Sequence, residues 1–192
     1  MNFSKRVTLF IFITYLFAYP TRQDFSDAFI KVADKGNPAI VSIVSEKVIE
    51  RNFHHFFEPF NDGSQKREHK GHSLGSGVIF DALKGYILTN NHVIENAAEI
   101  KIILYDKREL DAEIVATDPL SDIAVLKIEP IRLIEIDMGD SESLKVGEWV
   151  VAIGSPFGLH LNHTVTAGII SAVGRNDVIS RQNFENFIQH DA

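Results

Sequence analysis

The fold is decided by two segments, Leu88-Thr-Asn-Asn-His-Val93 and Leu120-Ser-Asp-Ile-Ala-Val-Leu-Lys127. Each joins a polar residue to the end of an apolar, β-branched run, a composition that favours strands. Further β-type runs surround them at short intervals, at Ser76–Phe80, Tyr86–Thr89, Glu99–Tyr105, Ala112–Thr117 and Ile123–Ile128. Turn residues separate these runs, and no helical pattern lies between them. The pattern predicts an all-β fold that contains a small antiparallel barrel or sandwich.

A second β series follows an acidic segment at residues 130–143 and comprises Gly147–Ile153, Thr164–Val173 and Phe187–Gln189. The residues after 135 are too few to close a barrel of the size of the first. We therefore expect a first β-barrel at residues 39–135 and an incomplete second barrel at 136–192. Within the first barrel, residues 39–45 predict a strand, and the polar stretch at 46–70 predicts a long loop insertion.

The N-terminus carries a targeting pattern. Lys5 and Arg6 precede an apolar run at residues 7–18, which is shorter than the about 20 residues that a membrane-spanning helix needs. A basic segment before a short apolar core is typical of a secretory signal. We therefore expect a signal peptide at residues 1–18; a buried N-terminal helix is the alternative. Residues 19–38 follow as a helical segment, with an amphipathic helix predicted over 24–37 and a stop signal at Gly36-Asn37-Pro38.

Composition excludes several classes of site. The formal net charge of −7 disfavours nucleic acid as a partner, because a phosphate backbone requires a basic face. The chain contains no cysteine, so it has no disulfide framework, no thiolate zinc site and no cysteine nucleophile.

His92 and Asp122 are the candidate functional residues. Asn90-Asn91 are turn formers that are expected to lift His92 out of the sheet, where one ring nitrogen stays free to accept a proton. Asp122 opens an apolar strand, so its carboxylate is partly shielded and needs a donor. A histidine whose Nδ1 proton is directed at that carboxylate has the tautomer that deprotonates an alcohol. The alternatives are an ordinary loop histidine and an aspartate that caps the turn after Asp118-Pro119.

Several blocks of the chain resemble the HtrA/DegP serine proteases, in order, from about Asp27 to Ala192. The resemblance is carried by Leu74–Ile79, Leu88–Val93, Ser121–Lys127, Gly147–Gly158, Thr164–Arg175 and Phe187–Ala192. It implies a chymotrypsin-like pair of β-barrels with the active site between them, and it makes His92 and Asp122 the counterparts of the family's catalytic histidine and aspartate. It implies no metal and no organic cofactor.

The resemblance also implies a cellular role. It predicts an endopeptidase for unfolded or damaged proteins in the periplasm or cell envelope, assembled as trimers, with peripheral membrane contact as a further expectation. In the family, the residues matching Asp191-Ala192 lead into a Gly-Asn-Ser-Gly-Gly motif that supplies the nucleophile and the oxyanion hole. The 192 residues end before that motif and before the PDZ domains, so we expect a truncated form that is inactive alone. The alternatives are a non-catalytic chaperone-like or oligomer-modulating remnant and a non-functional gene fragment.

Other polar and aromatic residues offer weaker candidates. Ser73 lies in a G-x-S-x-G pattern, but that motif requires a strand before the serine and a helix after it. Ser155 is expected to be a plain turn residue. His54, His55, His69 and His72 have no recognisable zinc spacing and are expected to be solvated. Phe53, Phe56, Phe57 and Phe60 form a helical stripe that predicts either a loop folded on its own barrel or a contact surface for a neighbouring subunit.

Overall fold

The computed structural model describes residues 21–49, 69–155, 163–176 and 186–192. The predicted signal peptide, the Phe53–Phe60 stripe, His54 and His55 lie outside these residues. The described part contains two helices and ten strands: α1 (Arg22–Gly36), β1 (Ile40–Ile49), β2 (His69–Asp81), β3 (Tyr86–Asn90), α2 (Asn91–Ile94), β4 (Ala97–Ile103), β5 (Glu109–Asp111), β6 (Glu113–Asp118), β7 (Ile123–Lys127), β8 (Trp149–Gly154), β9 (Thr164–Arg175) and β10 (Phe187–His190). The fold is all-β and chymotrypsin-like, as the sequence predicted.

Helix α1 begins two residues before the predicted start because Thr21 caps it. The Thr21 hydroxyl accepts a hydrogen bond from the backbone N–H of Asp24 (3.2 Å), and the Asp24 carboxylate accepts one from the N–H of Thr21 (2.8 Å). This reciprocal pair satisfies two N–H groups that a helix start would leave unpaired. The helix ends at Gly36, before Pro38, as predicted. Within the described residues, no helix is long and apolar enough to cross a membrane.

The first sheet is an antiparallel, curled sheet of seven strands in the order β5-β4-β1-β2-β3-β7-β6. Its outermost strands, β5 and β6, are separated in sequence by Ala112 alone, so the two edges of the sheet meet at that residue. The N–H of Ala112 donates to the carbonyl of Ile100 (2.9 Å). Closure of this kind protects strand edges that would otherwise be open to pairing.

Alternate residues of these strands point into one apolar core. Most of its buried members are β-branched, as the strand-forming runs require: Val41, Ile43, Ile79, Ile87, Val93, Ile94, Ile100, Ile102, Leu104, Ala124, Leu126 and Ile128. The turn between β2 and β3 depends on Gly85, which has φ +73°. A Cβ atom there would lie 2.1 Å from the carbonyl oxygen of Ile128. No other residue type fits that position.

The predicted loop at residues 46–70 is wrong at both ends. Strand β1 continues to Ile49 and β2 begins at His69, and the two pair in register from Glu46 opposite His72 to Ile49 opposite His69. The side chains in these extensions of β1 and β2 are largely polar. The apolar pattern from which strands are predicted therefore ends before the strands themselves do. Backbone ladder bonds do not depend on side-chain polarity. The predicted strand at residues 112–117 is confirmed as β6, shifted by one residue to Glu113–Asp118, and the short strand β5 precedes it.

The second sheet contains three antiparallel strands within the described residues, in the order β10-β9-β8. These strands match the predicted second β series. Several of its large apolar side chains are exposed, including Trp149 at 59%. The chain from Ala33 onwards forms one compact unit that contains both sheets.

The segment between the two sheets is held to the first by polar contacts. The guanidinium of Arg108 donates to the carbonyls of Ile131 (2.6 Å) and Arg132 (3.0 Å). The N–H of Ala82 donates to the carboxylate of Glu135 (2.7 Å). These contacts fix an irregular segment that lacks a strand pattern of its own.

Candidate active site

His92 lies in the one-turn helix α2, between β3 and β4, and so leaves the sheet as predicted. Two neighbours in α2, Val93 and Ile94, are buried in the core. The buried hydroxyl of Ser45 donates to the carbonyl of Val93 (2.6 Å). A Cβ atom on Gly75 would lie 2.7 Å from a methyl carbon of Val93, so α2 packs directly against the backbone of β2. The imidazole therefore projects from a rigid turn.

Asp122 is the last residue of the turn that joins β6 to β7. Its φ of +54° lies in the left-handed region, where aspartate and asparagine are better tolerated than most residues. Asp118 caps the turn, because its carboxylate accepts from the N–H of Leu120 and the hydroxyl of Ser121. Asp118, and not Asp122, therefore caps the turn. The Asp122 carboxylate forms its hydrogen bonds with residues outside the turn.

The structure brings the two predicted residues together. Nδ1 of His92 lies 2.7 Å from Oδ2 of Asp122, and the backbone N–H of His92 donates to Oδ1 (2.9 Å). This proximity follows from the sheet, since β3 pairs with β7 and Asn90 is opposite Ile123. The N–H of Asn91 donates to the carbonyl of Asp122 (3.1 Å), which ties the two connecting segments together.

The electrostatics favour an ionised carboxylate. Partial burial alone would raise the pKa of the Asp122 carboxyl, but donation from the backbone N–H of His92, from its ring and from Asn90 outweighs this and lowers the pKa below its ordinary value. An ionised carboxylate only accepts hydrogen bonds, so Nδ1 of His92 carries the proton. In the neutral imidazole, Nε2 is then the unprotonated ring nitrogen.

The imidazole ring of His92 is accessible to solvent. The His92 side chain is 68% exposed, and that of Asp122 is 38% exposed. In the described part of the chain, no side chain forms a hydrogen bond with Nε2. An exposed imidazole with this tautomer is able to take a proton from an alcohol.

Sequence reasoning missed the part played by Asn90. The sequence indicates only a turn-forming role for Asn90, whereas its side-chain Nδ2 lies 3.1 Å from the carbonyl oxygen and 3.2 Å from Oδ2 of Asp122. The only sequence signal for this contact is that an amide lies two residues before the histidine, and this position does not identify a partner in another segment.

The structure describes both candidate serines: Ser73 lies within a strand, and Ser155 is buried. Ser73 lies inside β2, with strand on both sides, so the G-x-S-x-G pattern has none of the geometry of a nucleophile elbow. Ser155 directly follows β8 and is buried, at 5% exposure. Its hydroxyl bonds that of Ser42 (2.7 Å), and its N–H donates to the hydroxyl oxygen of Ser76 (2.7 Å). Ser155 therefore connects the end of β8 to the first sheet.

Replacing Ser155 by Ala is expected to lower the free energy of unfolding by about 1–3 kcal/mol, because the buried Ser42 hydroxyl loses its partner. Denaturant unfolding measures the change, with exposed Ser141→Ala as the matched control. Equal stability of the two variants would contradict this account of the contact.

Of the four histidines considered as metal ligands, only His72 has a side chain that the structure describes. His72 is exposed, and the side chain of His69 is outside the described residues. Among the residues that the structure describes, no group of three or more histidine, aspartate or glutamate side chains is arranged to hold a metal ion.

Comparison with known proteins assigns the family. Residues 75–192 match the trypsin-like peptidase domain. The periplasmic serine endoprotease DegP of Salmonella typhimurium is 44% identical over 187 residues, covering 83% of this chain and 39% of that protein. The chain belongs to the HtrA/DegP family of trypsin-like serine peptidases. A probable periplasmic serine protease do/HhoA-like from Haemophilus influenzae is 50% identical over 139 residues, covering 71% of this HtrA/DegP-type chain and 29% of the relative.

Solved structures agree with this assignment. A variant of the HtrA-type protease AlgW, solved with a decapeptide, matches with a TM-score of 0.74 and 36% identity, covering 84% of this HtrA/DegP-type chain and 50% of that one. AlgW with a decapeptide matches with a TM-score of 0.68 and 37% identity, covering 85% and 51%. The chain spans about two fifths of the length of the DegP relatives, since it covers 39% of them.

Proposed function

We propose that this chain carries the histidine and the aspartate of an HtrA/DegP-type serine endopeptidase. The observation that supports the proposal is the 2.7 Å contact between Nδ1 of His92 and Oδ2 of Asp122. A second bond from the His92 backbone to the same carboxylate fixes the relative orientation of ring and acid. Surface ion pairs seldom have two such contacts, because long side chains rarely hold one geometry in water.

In this proposal His92 is the general base. Nε2 takes the proton of a serine hydroxyl as the oxygen attacks the substrate carbonyl, and it returns that proton to the leaving amine. Asp122 keeps the ring in the required tautomer and stabilises the imidazolium that forms. The family's Gly-Asn-Ser-Gly-Gly motif would supply the nucleophile and the oxyanion-hole N–H groups; the 192 residues do not contain it.

The cellular role is proposed from the family. The curated relatives are named periplasmic serine endoproteases, and the N-terminal targeting pattern agrees with export. We propose a periplasmic or cell-envelope location, unfolded or damaged proteins as substrates and a trimer-based homo-oligomer. We also propose that the boundary between the two β units lies near residue 135.

Activity on unfolded casein tests the proposal. A polypeptide of these 192 residues alone is expected to hydrolyse casein no faster than its His92→Ala variant. A chain that continues in frame from Ala192 through Gly-Asn-Ser-Gly-Gly is expected to hydrolyse it, and Ala in place of the motif serine is expected to abolish the activity. A folded, continued chain without activity would contradict the proposed function; hydrolysis by the 192 residues above the His92→Ala level would contradict the assignment of the nucleophile.

A further inference from the structure

Asn90 occupies a position whose usual local contact is not made. It is the last residue of β3 and the N-cap of α2, with extended backbone angles (φ −81°, ψ 143°), and its side chain forms no capping hydrogen bond. Asparagine is among the best N-cap residues because its side-chain oxygen ordinarily accepts from an N–H of the first helical turn. The Asn90 side chain instead reaches across to the β6–β7 turn.

The amide of Asn90 bonds Asp122 at two atoms. Nδ2 lies 3.1 Å from the carbonyl oxygen of Asp122 and 3.2 Å from Oδ2. Both oxygens are acceptors, so the NH₂ group, and not the amide oxygen, faces Asp122. One side chain therefore contacts both the backbone and the carboxylate of the residue that bonds His92.

Two features of Asp122 make a contact that fixes its orientation important: its backbone conformation and the exposure of its side chain. Its backbone is in the left-handed region, where a residue other than glycine persists only when its surroundings hold it. Its side chain is 38% exposed, so water competes for Oδ2, the atom that bonds Nδ1 of His92. The Asn90 amide occupies one acceptor direction of Oδ2 and leaves another for the imidazole.

We propose that Asn90 is a positioning residue, whose carboxamide holds the Asp122 carboxylate in the orientation in which Oδ2 accepts the Nδ1 proton of His92. This inference rests on the proposed function of the pair. Without the amide, the bond from the His92 N–H still holds Oδ1, but the carboxylate rotates about that bond for part of the time. Oδ2 then leaves Nδ1, and water determines which ring nitrogen carries the proton. The population of the Nδ1–H tautomer, which the base requires, decreases.

The tautomer is measured directly by two-bond ¹H–¹⁵N correlation spectra of ¹⁵N-histidine-labelled protein at a pH where His92 is neutral. Asn90→Ser is the informative variant, because serine is an equally good N-cap residue but carries no carboxamide. Asn91→Ser is the matched control, because among the described contacts the Asn91 side chain forms no hydrogen bond with Asp122. Thermal unfolding of each variant monitors the fold.

Asn90→Ser is expected to lower the Nδ1–H share of His92, while Asn91→Ser leaves it at the wild-type level and both unfolding midpoints stay close to wild type. In a chain continued through Gly-Asn-Ser-Gly-Gly, Asn90→Ser is expected to lower kcat about tenfold with KM unchanged, which is the equivalent of one hydrogen bond to a charged group.

The outcomes separate this inference from the proposed function. A wild-type His92 that is mainly the Nε2–H tautomer would contradict the proposed His92–Asp122 pair itself. If the wild type has the Nδ1–H tautomer and Asn90→Ser retains it, the pair stands and the role of Asn90 is overturned. An equal loss in both serine variants would also overturn it, because the effect would then come from the turn and not from the amide.

Discussion

Replacing His92 by Ala in a chain that continues through Gly-Asn-Ser-Gly-Gly is expected to lower kcat on a peptide substrate by about 10⁶-fold. In the proposed function this substitution removes the atom that accepts the serine proton. The other side chain that bonds the Asp122 carboxylate is that of Asn90, an amide that cannot act as a base. The fold should survive, because the His92 side chain is 68% exposed and the packing of α2 depends on Val93 and Ile94.

His72→Ala is the matched control for this measurement. It removes another exposed histidine, from β2, and should leave kcat unchanged. Steady-state kinetics on the two variants, with circular dichroism to establish folding, makes the comparison. A folded His92→Ala enzyme that retains more than about one hundredth of the wild-type kcat would contradict the role of general base.

Asp122→Asn in the same chain is expected to lower kcat by about 10⁴-fold with little change in KM. Asparagine fits the φ of +54° as well as aspartate does, so the turn is retained, whereas Asp122→Ala would add backbone strain. The new amide presents an N–H to the imidazole and favours the tautomer with the proton on Nε2, which cannot act as the base.

Asp111→Asn, at an exposed site in β5, is the corresponding control and should have no effect on kcat. The unfolding midpoint of Asp122→Asn should also be measured, to establish that the variant is folded. A variant that is as active as Asp111→Asn would show that the carboxylate does not orient the ring.

The location of the candidate site could be predicted from local sequence because strand signals surround both residues. The runs ending at Thr89 and beginning at Ile123 are strongly β-forming, and they become β3 and β7. Adjacent antiparallel strands bring the segments at their ends together, so a histidine after one and an aspartate before the other become neighbours. The resemblance to HtrA/DegP proteases is what predicts a catalytic role for the pair.

Contacts made across the fold could not be predicted in this way. The extension of β1 to Ile49 depends on backbone pairing with residues 69–72. The burial of Ser155 depends on Ser42 and Ser76, which lie far from it in sequence. The direction of the Asn90 amide depends on its two acceptors on Asp122, which lies in another connecting segment. Each is a property of tertiary structure, which hydrophobic periodicity does not encode.

The central claim is that His92 and Asp122 are paired in solution, and the pKa of the Asp122 carboxyl measures this most directly. Donation from the backbone N–H of His92 and from its ring lowers that pKa in the folded state, and only the contribution of the ring is lost in His92→Ala. The resulting stability is present above the unfolded value of about 3.9 and is lost as the pH falls through the folded pKa. The ¹³C shift of the carboxyl carbon should be titrated in the wild type and in His92→Ala. We expect a wild-type pKa below the ordinary aspartate value and a higher pKa in the variant. An ordinary value in the wild type, or the same value in both proteins, would contradict the pairing of His92 with Asp122.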